Sequence, residues 1–266
     1  MKVTFIGGGN MGEAILSSLL AKNLASPQEI AVSDVSAERR SALSQKYGVF
    51  TTASNVEAAS RGSVIVFAVK PQNLDAVMAE LSGKLAESQL VLSIIAGKRI
   101  DTLRKGLGHN AIVRAMPNTP AQIGKGMTVW TSSEEATEGQ EEDARAILDV
   151  MGSAVYTHDE KVLDMATAVS GSGPAYVFQF IEALIHGGTG IGLTPGLART
   201  LAYQTVLGAA EYAQQSDKDL DTLIRQVISP GGTTYAAMTV LEQGFFSHIV
   251  RQAIEAAYKR AKELGS

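Results

Sequence analysis

The chain has 266 residues, 45% of them hydrophobic, which is enough for one large globular domain or two of ordinary size. Its net charge of −4, without a basic cluster, argues against a nucleic-acid partner. It has no cysteine and its 4 histidines are scattered, which excludes disulfides and predicts no metal site. No apolar run has the length of a membrane span, and the first strand begins too early for a signal peptide, so we expect a soluble, cytoplasmic protein.

Strand-like and helix-like segments alternate from residue 1 to about residue 158. The predicted strands are Val3–Ile6, Ile30–Ser33, Val49–Thr51, Val64–Val69, Leu90–Ile94, Ala111–Arg114, Met127–Trp130 and Ala154–Thr157. Helical patterns between them lie near 11–24, 36–46, 55–60, 73–82, 100–107 and 138–151. This alternation predicts an α/β domain with a doubly wound, mainly parallel sheet, because crossover helices return the chain to the same edge. We place the domain at residues 1–158, with the last two strands as an appended pair.

Residues 159–266 are predicted to form an all-helical domain. Its helical patterns lie near 160–170, 174–188, 195–214, 219–228, 231–242 and 246–263. Thr194-Pro195 and Ser229-Pro230 each have the pattern of an N-cap followed by proline at the first helical position. In Tyr176–Ile185 and Ala198–Ala213, apolar and small residues surround most of the helix, which requires burial on most sides. We therefore predict an interlocked homodimer through this half.

Three glycines follow the first predicted strand. Gly7, Gly9 and Gly12 fit the pattern G-x-G-x-x-G, with a strand before and a helix after. Gly7 would allow a tight turn, Gly9 would let the backbone approach a pyrophosphate, and Gly12 would let the helix pack closely on the strand. The helix N-terminus would present unpaired N–H groups to the anion. The stretch predicts a dinucleotide site, and the alternative is a structural glycine turn.

An acidic residue follows the second predicted strand. Asp34 lies about 22 positions after Gly12, close to the spacing of the carboxylate that holds a ribose 2′-hydroxyl, which favours NADH. Nearby hydroxyl and guanidinium groups could instead hold a 2′-phosphate: Ser33, Ser36, Arg39 and Arg40. A local role is also open, in which Asp34 or Ser36 caps the next helix.

Three further loops follow predicted strand ends, where open α/β sheets bind ligands. In Val69-Lys70-Pro71-Gln72, Lys70 either faces the cofactor crevice or is a solvated loop lysine. Gly97 either allows close approach to a nicotinamide ring or is a plain turn glycine. Asn118, between Pro117 and Pro120, is either a rigid polar group at the site or part of a structural crossing.

The stretch Ser229-Pro230-Gly231-Gly232-Thr233-Thr234 is the most specific feature of the helical half. Two glycines in a first helical turn cost about 1 kcal/mol each relative to alanine, which suggests that a ligand approaches the backbone. Free N–H groups and the hydroxyls of Ser229, Thr233 and Thr234 predict a carboxylate site. The alternative is a loose helix start.

Five motifs in this order resemble those of pyrroline-5-carboxylate reductases. They are the glycine loop with Asn10-Met11, Val69-Lys70-Pro71-Gln72, Met116-Pro117-Asn118-Thr119-Pro120, Ser170-Gly171-Ser172-Gly173-Pro174-Ala175-Tyr176 and Ser229-Pro230-Gly231-Gly232-Thr233-Thr234. The resemblance spans the full chain and implies a Rossmann domain followed by a helical dimerisation domain. It also implies a homodimer with a shared active site, and it allows a decamer of five dimers. The implied cofactor is NADP(H), with NAD(H) as an alternative because Asp34 departs from the small or amide residue frequent there.

The resemblance implies reduction of the C=N bond of 1-pyrroline-5-carboxylate to L-proline by hydride transfer from NAD(P)H, the last step of proline biosynthesis. The implied cofactor-binding residues are Gly7, Gly8, Gly9, Asn10, Met11, Gly12, Ser33, Asp34, Asn55, Ala68, Val69, Lys70, Pro71, Ala96 and Gly97. The implied substrate-binding residues are Asn118, Ser229, Gly231, Gly232, Thr233 and Thr234. The implied catalytic residues are Thr234, whose hydroxyl would orient the ring nitrogen, and Lys70, near the nicotinamide ribose.

Two other interpretations remain open. The first is a related imine reductase or β-hydroxyacid-type dehydrogenase. Dehydrogenases of the latter kind usually carry a lysine on a long interdomain helix, and the Asp159–Asp164 region here supplies only Lys161. The second is a non-catalytic NADPH-binding regulator, which would keep the glycine loop but would not need the Ser229–Thr234 stretch.

Overall fold

The computed structural model describes residues 1–265 and contains two compact units. The first unit is formed by Met1–Ser172 together with the C-terminal segment that begins at Ala257. The second unit is Gly173–Ala256. The last strand ends at Tyr156, close to the predicted boundary at residue 158, and the first unit continues beyond that point through a further helix.

The first unit is built on one mixed, mainly parallel sheet. Its strands are β1 (Val3–Ile6), β2 (Ile30–Ser33), β3 (Phe50–Thr52), β4 (Val64–Phe67), β5 (Leu90–Ser93), β6 (Ile112–Met116), β7 (Gly126–Ser132) and β8 (Gly152–Tyr156). The spatial order is β3-β2-β1-β4-β5-β6-β7-β8, and only the β6–β7 pair is antiparallel. The predicted doubly wound α/β fold is confirmed. The appended pair joins the same sheet, with β7 reversed and β8 parallel to β7.

Helices cover both faces of this sheet. They are α1 (Asn10–Ala21), α2 (Ala37–Tyr47), α3 (Asn55–Ala59), α4 (Leu74–Leu81), α5 (Ile100–Leu107), α6 (Glu138–Asp149) and α7 (Lys161–Ala166). Side chains alternate along each strand, so Val64 and Val66 of β4 join one core layer while Ile65 and Phe67 join the other. The central strands, which are buried on both faces, are mostly apolar, which is why the sequence predicted them well.

A buried ionic cluster fixes α7 against the sheet. Arg114 on β6 is 2% exposed, and its guanidinium donates to Asp164 Oδ1 at 2.9 Å and to Glu160 Oε1 at 3.0 Å. Asp164 is also buried. Removing one partner would leave an uncompensated charge in the interior, so the cluster holds this geometry firmly. The sequence showed the strand but not these partners, which are about fifty residues apart along the chain.

The second unit is helical, as predicted. Its helices are α8 (Gly173–Gly190), α9 (Pro195–Gln215), α10 (Leu220–Val227), α11 (Thr233–Gln243) and the first half of α12 (Phe246–Gly265). The predicted N-cap at Thr194 is confirmed, because its side chain accepts a hydrogen bond from the Leu197 N–H. Between α7 and α8, residues Thr167–Gly171 form a π-helical turn rather than a continuation of the predicted α-helix.

The prediction that Ser229-Pro230 starts a helix is wrong. Helix α11 begins at Thr233, with Gly232 at its N-cap position. The Gly232 N–H donates to the Ser229 carbonyl at 2.9 Å, and Gly231 has φ +66°. Proline second and a positive-φ glycine third is the pattern of a type II β-turn. The two glycines therefore form the turn before the helix, and neither lies within its first turn.

The second unit has almost no core of its own. Among residues 173–256, only Ala198 and Ala202 are buried. Large apolar side chains are exposed along its helices, including Phe178 at 61% and Leu207 at 62%. Apolar surface of this extent marks an interaction site.

In residues 1–265, none of the helices combines the length and hydropathy that a membrane span requires.

Candidate functional site

A cleft of about 650 Å³ opens at the carboxyl ends of β1, β2 and β4. The order of the sheet reverses at this point, where β1 pairs with β2 on one side and β4 on the other. Open α/β sheets bind ligands at such switch points, and the volume suits a cofactor. The lining residues are Gly7, Gly9, Ser33, Asp34, Val35, Asn55, Ala68, Val69, Lys70, Gln72, Asn73, Ala76, Val77 and Glu80.

Eight of the residues implied to bind a cofactor line this one cleft. They are Gly7, Gly9, Ser33, Asp34, Asn55, Ala68, Val69 and Lys70. Strand β4 ends at Phe67 rather than at the predicted Val69, so Ala68 and Val69 leave the sheet and form part of the wall. The other implied cofactor residues are not among its lining residues: Gly8, Asn10, Met11, Gly12, Pro71, Ala96 and Gly97.

Glycine is suited to each of the three motif positions for a different physical reason. Gly7 has φ +101°, and a Cβ there would lie 2.9 Å from the Ala68 carbonyl carbon. A Cβ at Gly12 would lie 2.5 Å from the Gly7 carbonyl oxygen, so helix α1 needs glycine to pack on this loop. A Cβ at Gly9 would meet no atom within 4 Å. Gly9 precedes α1 without a side-chain cap, so the helix N-terminus faces open space, as an anion site requires.

Gly8 is held on both sides, a constraint that the sequence pattern does not express. Its N–H donates to Asp34 Oδ2 at 2.9 Å, and its carbonyl accepts a hydrogen bond from Arg39 Nε. A Cβ at this position would lie 2.6 Å from Leu43 Cδ1. Packing of α2 therefore favours glycine at the unassigned position of G-x-G, because a larger residue would have to displace the end of the Leu43 side chain.

The structure assigns the capping role to Ser36, and a contact of Asp34 with a ribose stays a prediction. Ser36 caps α2 by accepting a hydrogen bond from the Arg39 N–H, and Asp34 Oδ1 accepts the Ser36 N–H at 2.9 Å. Asp34 therefore ties the glycine loop to the start of α2 while its carboxylate lines the cleft. The guanidinium of Arg40 donates to the Asp34 carbonyl at 2.7 Å, and that of Arg39 bonds to Gly8.

Glu13 on α1 anchors Arg39. It pairs with the Arg39 guanidinium, accepts from Lys46 Nζ at 2.9 Å and accepts from the Tyr47 hydroxyl at 2.7 Å. Partial burial raises the pKa of Glu13, but the hydrogen bonds from Lys46, Tyr47 and Arg39 outweigh it and lower this pKa from 4.5 to about 2. The carboxylate stays charged at neutral pH and holds Arg39 against the glycine loop.

We expect Glu13→Gln to lower the free energy of unfolding by about 1 kcal/mol at neutral pH, since solvent screens a partly exposed cluster. A depressed carboxyl pKa stabilises the fold above the unfolded pKa of 4.5, and this contribution is lost as the pH falls towards 2. The difference between variant and wild type should therefore shrink over that range. Urea unfolding at fixed protein concentration checks this, with the exposed Glu142→Gln as control. A pH-independent difference would contradict the assignment.

Three polar side chains join across one wall of the cleft. The Ser33 hydroxyl donates to Asn55 Oδ1 at 2.6 Å. Asn55 donates twice to Glu80, from Nδ2 to Oε2 at 2.7 Å and from its backbone N–H to Oε1 at 3.1 Å. Glu80 is not among the residues predicted from the sequence, because no local pattern connects α4 with the start of α3.

Lys70 lies at the rim of the cleft and is exposed. Pro71 follows it and begins a short 3₁₀ turn, as expected of proline in a first helical turn. Within residues 1–265, the Lys70 ammonium makes no ion pair or hydrogen bond. It combines the two interpretations that the sequence left open, since it is solvated and also faces the cleft. Its role towards the cofactor stays a prediction.

The structure gives a packing reason for Gly97 beside the two interpretations that the sequence left open. Its φ is +73°, and a Cβ there would lie 2.8 Å from Leu264 Cβ and 3.0 Å from the Leu264 backbone. The end of α12 therefore packs against Gly97, and a contact of this glycine with a nicotinamide ring stays a prediction. This glycine is explained by packing of the C-terminal helix, a contact between residues far apart in the sequence.

Asn118 has the structural role that was one of its two interpretations, because its side chain connects two separate segments of the chain. Its Nδ2 donates to the Ser170 carbonyl at 3.0 Å, and its Oδ1 accepts the Met127 N–H at 2.9 Å. A Cβ at Gly171 would lie 2.9 Å from Met116 Cε. Two of the family motifs therefore meet at the π-helical turn, where Asn118 bridges the start of β7 and Ser170. A substrate contact by Asn118 stays a prediction.

The turn before α11 keeps the features of an anion site. A Cβ at Gly232 would lie 2.3 Å from Ser229 Oγ, so the serine side chain folds over this glycine. No side chain caps the first turn of α11, and its N–H groups at Thr233 and Thr234 stay free to donate to a ligand. Contacts and backbone conformation within the turn explain why Gly231 and Gly232 are glycines. The prediction of a carboxylate site therefore depends on the free N–H groups.

The described part of the chain holds no group of three or more His, Cys, Asp and Glu side chains that could bind a metal ion.

Comparison with known proteins covers the whole chain. The family described as "Pyrroline-5-carboxylate reductase dimerisation" matches residues 160–264, and "NADP oxidoreductase coenzyme F420-dependent" matches residues 2–97. A pyrroline-5-carboxylate reductase from Synechocystis sp. is 43% identical over 265 residues, which are 100% of this chain and 98% of the relative. The structure of a pyrroline-5-carboxylate reductase from Coxiella burnetii matches with a TM-score of 0.91 at 38% identity, covering 100% of this chain and 98% of the other.

The Plasmodium falciparum pyrroline carboxylate reductase, whose crystal structure has NADP bound, matches with a TM-score of 0.92 at 32% identity. That match covers 100% of this chain and 98% of the other. Identity of this level over full length, together with the dimerisation family over the helical half, shows the family. The chain belongs to the pyrroline-5-carboxylate reductases.

Proposed function

We propose that this protein reduces the C=N bond of 1-pyrroline-5-carboxylate to L-proline, the last step of proline biosynthesis, with hydride from NADPH and with NADH as the alternative donor. The observation that carries the proposal is 43% identity to a pyrroline-5-carboxylate reductase across the whole chain. That identity spans both the glycine-loop cleft and the Ser229–Thr234 turn.

The residues of the cleft fit a dinucleotide. The helix N-terminus after Gly9 is uncapped and the space beside Gly9 is open, which suits a pyrophosphate. Ser33, Asp34 and Asn55 line the same cleft and offer oxygen atoms to a ribose. We assign the loop from Gly7 to Gly12 to the pyrophosphate. When bound, the nicotinamide cofactor supplies the hydride.

Asp34 bears on the choice between the two cofactors. Backbone N–H groups of Gly8 and Ser36 hold its carboxylate, so the negative charge has a fixed place beside the cleft. Arg39 is already bonded to Gly8 and Glu13. This arrangement suits a ribose 2′-hydroxyl better than a 2′-phosphate, and it supports NADH as a second donor beside NADPH.

The chemistry asks for positioning rather than for a nucleophile. A protonated C=N bond is already an electrophile, so hydride addition at its carbon gives the amine directly. The N–H groups of Gly231, Thr233 and Thr234, with the Ser229 hydroxyl, would hold the substrate carboxylate, and the Gly232 N–H closes the turn by donating to the Ser229 carbonyl. The Thr234 hydroxyl would orient the ring nitrogen and relay a proton. Lys70 would serve near the nicotinamide ribose, because a positive charge beside the iminium would raise the barrier.

The helical half supports a homodimer, and a decamer of five dimers is the larger assembly to test. A dimerisation family matches residues 160–264, and the second unit exposes apolar side chains that it cannot bury alone. Light scattering of the purified protein separates the two sizes. A location in the cytoplasm stays a prediction of the sequence.

The decisive assay measures oxidation of NADPH and, separately, of NADH on addition of pyrroline-5-carboxylate. We expect oxidation with formation of proline. Tight NADPH binding without oxidation would favour the non-catalytic regulator. Turnover only with a cyclic imine of another ring size would favour an imine reductase, and turnover only with hydroxyacids would favour a dehydrogenase.

A further inference from the structure

The hydrogen bonds between Ser33, Asn55 and Glu80 have a defined direction. A carboxylate is only an acceptor, so both groups of Asn55 that face Glu80 must be donors. This places Asn55 Nδ2 towards Glu80 and leaves Asn55 Oδ1 towards Ser33. The Ser33 hydroxyl then donates to Oδ1 at 2.6 Å in preference to the Phe5 carbonyl at 3.5 Å, and its own oxygen keeps its lone pairs for a ligand.

These three hydrogen-bonded residues belong to the wall of the cleft. Ser33 ends β2, Asn55 begins α3 and Glu80 lies on α4, and all three line the same cavity. Ser33 is 1% exposed, so its hydroxyl has few partners to choose from. A buried hydroxyl in a low-dielectric wall keeps a fixed orientation only if its acceptor is fixed.

We propose that Glu80 is a positioning residue for the cofactor, which acts through Asn55 to make this wall of the cleft an acceptor of hydroxyl groups. The inference rests on the proposed function and assigns the wall to a ribose. Ribose hydroxyls donate hydrogen bonds, whereas a phosphate offers only acceptors and would be repelled by the Glu80 carboxylate. Both carboxylate oxygens of Glu80 accept from Asn55, so we assign Glu80 an indirect role through that residue.

The isosteric variant Glu80→Gln tests this direction. A glutamine amide can accept only one of the two Asn55 hydrogen bonds, so its NH₂ group would meet Asn55 Nδ2, donor against donor. Asn55 would rotate its amide, and the Ser33 hydroxyl would lose its short acceptor and turn to the Phe5 carbonyl, which lies 3.5 Å away. We expect the KM for NADPH and the Kd for NADPH to rise roughly tenfold, with kcat within about twofold of wild type and the KM for pyrroline-5-carboxylate unchanged.

Two controls separate positioning from general stability. Glu87→Gln removes an exposed carboxylate outside the cleft, and it should leave every constant unchanged. The variant Asn55→Ala should raise the NADPH constants by itself. In the double variant, Glu80→Gln should add little to Asn55→Ala, because Glu80 acts through Asn55.

The measurements distinguish failure of this inference from failure of the proposed function. Cofactor Kd is measured by fluorescence without substrate, and wild-type turnover is measured in parallel. An active wild type with unchanged NADPH constants in Glu80→Gln would overturn the inference alone. Additive effects in the double variant would overturn it as well, and so would a lowered melting temperature with no selective change in cofactor affinity.

Discussion

Replacing Gly9 with leucine should abolish cofactor binding while the protein folds normally. The backbone of Gly9 has φ −67° and ψ −173°, an extended conformation that any residue adopts. A Cβ there meets no protein atom within 4 Å, so the side chain would enter only the space before the N-terminus of α1. That is the space assigned to the pyrophosphate. We expect NADPH affinity to fall roughly 100-fold or more, because the anion would lose its N–H donors.

The control for this variant is Gly139→Leu. Gly139 lies in α6, is exposed and also has no atom within 4 Å of a Cβ position. It tests the effect of a new leucine on an open glycine away from the cleft. Both variants should keep their circular dichroism spectra and melting temperatures close to wild type. Normal NADPH affinity in Gly9→Leu, measured by fluorescence titration, would remove the basis for assigning the loop to the pyrophosphate.

Replacing Thr234 with alanine should lower kcat roughly 100-fold without weakening NADPH binding. Thr234 is the second residue of α11, and its hydroxyl makes no hydrogen bond within residues 1–265. The cofactor cleft is built from residues of the first unit, so its affinity should not change. The expected loss comes from the ring nitrogen of the substrate, which would no longer be oriented for hydride addition.

Two variants of the same helix sharpen this test. Thr234→Ser keeps the hydroxyl and should recover most of the turnover. Thr239→Ala removes a hydroxyl that already donates to the Tyr235 carbonyl at 2.9 Å, and it should leave kcat near wild type. Stopped-flow measurement of NADPH oxidation with saturating pyrroline-5-carboxylate gives the rate. Unchanged turnover in Thr234→Ala would exclude this residue from the chemistry.

Much of the first unit could be predicted because its signals are local. Most strands are short runs of apolar or β-branched residues, and all eight predicted strands lie within about two residues of the observed ones. Thr194-Pro195 starts a helix as predicted, because a side-chain cap and a fixed proline φ act within one turn. The same pattern at Ser229-Pro230 predicted a helix start that is wrong, since α11 begins only at Thr233. There Gly231 adopts φ +66° and turns the chain first.

The errors and omissions about the site share one cause, contact between residues far apart in the chain. Leu264 fills the space beside Gly97, and nothing near residue 97 in the sequence indicates this. The Leu43 side chain packs against Gly8 and leaves little space for a larger residue there. Glu80 reaches Asn55 across 25 positions. Such contacts depend on how helices pack over the sheet, which hydrophobic periodicity does not specify.

The sequence alone determined the order of the strands along the chain, the glycine loop, the change to an all-helical half and the family. These follow from periodicity, glycine spacing and motif order, all of which are properties of short segments. Only the tertiary structure decided which polar groups face the cleft and in which direction they donate. Hydrogen bonds have short range and fixed direction, so the roles of Asp34, Asn55 and Glu80 exist only once three separate elements have packed together.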